Sequence, residues 1–256
     1  MVEYPIQSAR TVAYRALCLG TLLRRNGLEL GMRSVGDLPD TIQEGWKREH
    51  EGILQHLKTW VIEEKILGYF SPEERLLLDA ELGDWQQLDT AKISWRCESL
   101  GTMLWALEIV DSPYYDTQFD TDSLLEPLDL LNPTIDFIWQ ATLREADVIH
   151  DARHLAQKWH WRASITQKQE HNAPLPEGVL SYAELIKQVA EETYAKGNLP
   201  EIIEDDFPVM GKAYAQLEDS EYNTISSIAK ERHYALGWLC KLSDDWDDVP
   251  TNTDDI

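Results

Sequence analysis

Ser71-Pro72-Glu73-Glu74-Arg75-Leu76-Leu77-Leu78 is the stretch that decides the fold class. The serine stands where an N-cap accepts a backbone N–H, the proline fills the first helical position, and the glutamate at the third helical position completes a capping box. The leucine run and Gly83 beyond it then define one short helix. Similar punctuation recurs along the chain. Asn132-Pro133 opens a segment in which Ile135, Ile138, Trp139, Thr142, Ala146 and Ile149 keep three-and-four spacing, which predicts a single helix to about Ala163. Further helices are expected at 8–26, stopped by Gly27, at 40–67, stopped by Gly68, and at 88–110, 181–196 and 220–242. No run of alternating β-branched residues announces a sheet, and 197–218, with Pro200 and Pro208, reads as a loop or small insertion. The expected fold is all-α. It is a single helical domain over 1–256 with about seven to nine helices, a small irregular insertion and an acidic C-terminal tail at 244–256. His171-Asn172-Ala173-Pro174-Leu175-Pro176 breaks the helical pattern without resembling a flexible linker.

A chain of 256 residues is long enough to bury a sizeable core, and its ten tryptophans supply large packing surfaces. The N-terminal stretch reaches Arg10, Arg15, Arg24 and Arg25 without an uninterrupted apolar run, so it does not read as a secretory signal. No segment approaches the roughly 18 apolar residues of a membrane span. Cys18, Cys97 and Cys240 are odd in number, far apart and set among apolar residues, which predicts reduced core thiols and a cytoplasmic location.

The formal net charge is −23, and its placement is uneven. Acids and bases balance in 1–70, so the whole excess falls in 71–256. No Lys or Arg occurs between Arg96 and Arg144, while Glu98, Glu108, Asp111, Asp116, Asp120, Asp122, Glu126, Asp129 and Asp136 all do. Such a field repels phosphate backbones and anionic lipid and speeds encounter with basic proteins. Neither nucleic acid nor membrane is therefore expected as a partner. Plain solubility is the simpler meaning of the same charge.

The most enzyme-like string is His150-Asp151-Ala152-Arg153-His154, in which two histidines share a helix face. It lacks the glutamate and the third ligand of a zinc hydrolase and reads as a solvated polar face. Asp116, Asp120 and Asp122 lack the order of a calcium loop. Phosphate-binding loop, nucleophile elbow and Cys–His pair are all missing, and carboxylate pairs carry no specificity among 46 acids. No catalytic residue, metal ligand or cofactor is assigned.

Four strings combine bulky aromatics with charges: Trp95-Arg96-Cys97-Glu98 with Trp105 further on, Trp159-His160-Trp161, Glu231-Arg232-His233-Tyr234-Ala235-Leu236-Gly237-Trp238-Leu239, and Asp245-Trp246-Asp247-Asp248-Val249-Pro250-Thr251-Asn252-Thr253. In this order, over about 8–253, they resemble a mainly bacterial domain-of-unknown-function family catalogued as number forty-two seventy-two. Its pattern runs W-R-x-E-x-L then W-A-L, H-W, E-R-x-x-A-L-N-W-L and W-D-D-V-x-T-D-T. Gly237 departs from its asparagine, Asn252 from its aspartate, and His154 from the acid it favours. The resemblance implies no reaction.

Arg96, Glu98, Glu231 and Arg232 are candidates for a buried ion-pair network, because charges beside core tryptophans must be paired. Glu98 lies too far round the helix to face Arg96, so its partner is expected to be Glu231 or one of Asp245, Asp247 and Asp248. Trp246 with Asp247 and Asp248 reads as a C-terminal latch or the rim of a cleft. The function expected is an acidic interaction protein for a basic protein partner, for instance an immunity-type inhibitor. The alternatives are an uncharacterised enzyme or small-molecule binder with a cleft lined by Trp95, Arg96, Glu98, His160 and Trp161, or a structural subunit. The sequence sets no oligomeric state.

Overall fold

The Ser71 hydroxyl accepts the Glu74 N–H at 3.3 Å and the Glu74 carboxylate accepts the Ser71 N–H at 2.9 Å, closing the capping box of a helix at Pro72–Asp79. The computed structural model describes residues 5–175 and 180–253, so the end of the Pro174–Pro176 break and the last three residues of the acidic tail lie outside the described residues. In chain order the helices are α1 (Ala9–Ser34), α2 (Asp40–Glu63), α3 (Pro72–Asp79), α4 (Gln87–Ala106), α5 (Thr121–Leu125), α6 (Ile135–Trp139), α7 (Ala146–Glu170), α8 (Tyr182–Ala195) and α9 (Asp219–Leu239). With 65 % of the chain helical and, among the described residues, one two-stranded sheet, the protein is all-α.

The core is built where α4 packs between α1 and α9, and α9 in turn packs along α7. Leu17 and Leu19 of α1, Leu100 and Leu104 of α4, Trp159 of α7 and Leu239 of α9 are all buried. The insertion holds a hairpin, β1 (Pro208–Val209) and β2 (Lys212–Ala213), whose two turn residues Met210 and Gly211 both have positive φ. That is the backbone twist that two-residue hairpins favour. Arg162 of α7 grips this insertion through both oxygens of Asp206, at 2.6 Å each, and Asp206 also accepts the N–H groups of Phe207 and Ala215.

One expected helix and three expected helix stops are corrected. The apolar stripe from 132 to 163 is not one helix, because α6 ends at Trp139 and α7 starts only at Ala146. In the gap, the Arg144 backbone N–H binds Ala106 O at 2.9 Å and its guanidinium Nε binds Trp105 O at 2.8 Å. These are carbonyls at the C-terminal end of α4, which need donors from outside their helix. Breaking the stripe supplies them, and it leaves Ile135 and Trp139 each 62 % exposed.

Nor does Gly27 stop α1. The helix continues to Ser34 because Leu28 packs with Leu54 and Leu82, and Glu29 pairs with Arg25 at 2.5 Å. Those contacts outweigh the roughly 1 kcal/mol that a mid-helix glycine costs. Similarly, α2 ends before Gly68 and α3 before Gly83. Lys65 takes a left-handed conformation and Ile66 N–H closes onto Val61 O, while the Ala80 and Glu81 carbonyls beyond α3 accept from Arg25.

Candidate functional site

The W-R-x-E string of α4 and the E-R pair of α9 are complementary. Arg96 Nη1 meets Glu231 Oε2 at 3.0 Å, and Arg232 Nε meets Glu98 Oε2 at 2.8 Å. Ser99 donates a second bond to Glu231 at 2.9 Å. The Arg96 guanidinium also lies over the rings of Tyr234 and Trp246, at 4.4 and 5.3 Å from their centroids. Glu98 is fully buried; burial pushes its carboxyl above the usual range, while Arg232 and the Phe119 N–H pull it back. Its other oxygen accepts that Phe119 N–H at 2.9 Å, and Arg232 donates to Pro113 O and Thr117 O at 2.7 and 2.9 Å. The pair thereby fixes the irregular 113–119 segment, whose backbone groups have no helix to satisfy them. Phe119 lies over Gly101, where a Cβ would strike its ring.

Trp246 is buried in an edge-on arrangement with Tyr234 and Trp238, and the Tyr234 hydroxyl donates to Trp246 O. Asp247 accepts the Glu73 N–H at 3.1 Å in the first turn of α3, while Asp248 stays exposed. The C-terminal segment is thus tied across α3 and α9. Trp161 is buried, Trp95 is half-buried, and His160 Nδ1 touches His233 Nδ1 at 3.1 Å. Burial, helped by Lys230, lowers His160 to about 4. Burial, helped by His160 and Arg153, lowers His233 to about 3. One ring donates and the other accepts, which two neutral imidazoles can do and two cations cannot.

The named residues therefore divide into an ion-pair cluster, a histidine pair and a docked latch. The cavities lie beside them. One of about 420 Å³ is lined by Trp105, Tyr114, Tyr115, Leu155 and Leu236, with Arg232 as the charged group that reaches it. A groove of about 430 Å³ runs between Leu107, Ile109, Pro127 and Phe137, with Asp129 and Asp136 in its lining. Sequence reading missed Tyr114 and Tyr115, which pack against the buried Trp159, with Tyr115 stacked on it at 4.9 Å. Their only signal was a Tyr-Tyr pair in a segment with no helical period.

Among the described residues no group of three or more His, Cys, Asp or Glu is arranged to hold a metal ion. Nor, among them, is any helix long and apolar enough to cross a membrane. Cys18, Cys97 and Cys240 are buried free thiols whose pKa values burial raises, so they are poor nucleophiles.

Fold and site together define an all-α protein held by buried ion pairs, with cavities between its helices. The chain belongs to the family described as domain of unknown function DUF4272, whose model matches residues 3–183. The match includes the first two aromatic–charge strings and ends before α9 and the C-terminal latch. No curated protein and no solved structure matches the chain.

Proposed function

We propose that this chain is an acidic interaction protein that binds a basic segment of a partner protein in the groove beside α6. The observation that carries this reading is the groove itself: an apolar floor whose lining, among the described residues, has two carboxylates and no cation. In the same stretch of chain, Glu108, Asp111, Asp120, Asp122 and Glu126 are exposed, and no Lys or Arg interrupts the sequence from Cys97 to Leu143. Ile109, Ile135 and Trp139 add exposed apolar surface, with the Arg10 guanidinium stacked 3.5 Å over the Trp139 ring. Apolar area supplies affinity and the surrounding field supplies rate and selectivity. An immunity-type inhibitor is the form of this reading in which the partner is a basic nucleic-acid-cleaving enzyme. Buried reduced thiols support a cytoplasmic setting.

Fluorescence anisotropy with a labelled amphipathic Lys/Leu peptide tests the groove. Binding should weaken with salt and fall by about tenfold or more in the Asp129→Lys/Asp136→Lys variant. Equal binding by that variant, or by a peptide with Glu in place of Lys, sinks the proposal.

The 420 Å³ cavity supports a second reading, a binder of a small flat ligand, since aromatic walls with a single guanidinium suit such a molecule. Leu236→Trp should fill the cavity and abolish any thermal stabilisation by a ligand found in a small-molecule screen.

A further inference from the structure

Arg153, Gln157 and His160 follow one another at intervals of four and three along α7, so they share one stripe, and the His160–His233 contact shows that this stripe faces α9. Beside that contact lies a pocket of about 460 Å³. It is lined by Arg153, His154 and Gln157 from α7, His233 from α9, and Pro250 and Asn252 from the C-terminal segment. Among the described residues no carboxylate belongs to this lining, in a chain with 46 acids and 23 Lys or Arg.

Arginine placement makes the pocket unusual. Arg15, Arg25, Arg96, Arg162 and Arg232 are all buried, and each is paired with an acid: Glu74, Glu29, Glu231, Asp206 and Glu98 respectively. Arg153 is half-buried with no such acid among the described residues, and its Nε is buried without an acceptor. The guanidinium fork matches the two oxygens of a carboxylate or phosphate. His233 contacts His160 through Nδ1, which leaves its Nε2 outside that contact, and Gln157 adds an amide.

We propose that this pocket binds a small oxyanion, the phosphate or carboxylate group of a small molecule, with Arg153 as its anchor and Gln157 and His233 as further donors. The site is separate from the acidic groove and opposite to it in charge, so either can fail without the other. Pro250 and Leu242 give the rest of the ligand an apolar wall.

The test is calorimetric titration of the full chain with inorganic phosphate and with succinate, against chloride at matched ionic strength. At least one oxyanion should bind, shifting the imidazole NMR signals of His154 and His233. Arg153→Gln should weaken that binding by about tenfold or more and Gln157→Leu by less, while Lys47→Gln, an exposed cation on α2, should leave it unchanged. Circular dichroism of each variant confirms that it is folded. A response to phosphate alone assigns a phosphate ligand and one to succinate alone a carboxylate, and both support the site. The proposal is overturned if neither oxyanion binds beyond the chloride response, or if binding persists undiminished in folded Arg153→Gln.

Discussion

Glu98 holds a carboxylate that water does not reach, and its bonds reach two elements: Arg232 on α9 and the Phe119 N–H at the far end of the 113–119 segment. Glu98→Ala should therefore cost about 3–5 kcal/mol in urea unfolding, because it strands a buried guanidinium, whereas Glu98→Gln keeps an acceptor for Phe119 and should cost less. A second single-residue effect concerns the histidine pair. Both rings are held well below the ordinary histidine pKa, to about 4 and about 3, by burial and by the nearby cations Lys230 and Arg153. Between pH 6.5 and about 4 the unfolded chain binds protons that the folded chain refuses, so stability is complete above that window and declines as pH falls through it. The pair contributes several kcal/mol to this decline. Urea midpoints measured across the window should flatten in a His160→Gln/His233→Gln variant, and an unchanged slope would assign the effect to the carboxylates instead. Sequence alone singled out Glu98, Arg96, His160 and Glu231 and put Glu231 among four possible partners of Arg96, but could not choose between them. Arg96 and Glu231 are 135 positions apart, and only the packing of α4 on α9 makes them neighbours.

At the scale of elements, helix starts were more legible than helix stops. A start is written locally, as at Ser71, where cap and box lie within four residues. Stops were sought at glycines, and α8 does end with Gly197 in the left-handed conformation. Yet α2, α4 and α9 end through Lys65, Glu108 and Lys241 at positive φ, with Ile66, Ile109 and Leu242 N–H groups closing back onto Val61, Leu104 and Gly237. No side chain announces such an ending. The strain is measurable: a non-glycine residue in that conformation costs about 1–2 kcal/mol, and glycine's extra chain entropy returns about half of it. Glu108→Gly and Lys241→Gly should each raise stability by about 0.5–1 kcal/mol in thermal unfolding, and a loss in both would show that their side chains hold the turns.

Across the whole molecule, composition and periodicity sufficed for the all-α class and for the placing of most helices, because caps, stripes and charge are local properties of a chain. The uneven acidity was also plain, since counting charges requires no fold. Contacts decided the rest. Whether the stripe at 132–163 stays one helix depends on the Trp105 and Ala106 carbonyls at the end of α4, to which Arg144 donates. Whether Trp246 docks or hangs free depends on a socket made by Tyr234, Trp238 and Arg96. That half-buried Arg153 lacks an acid became visible only once each fully buried arginine had found one. Pairing and burial are sums over neighbours brought together by folding, and no window of sequence contains those neighbours.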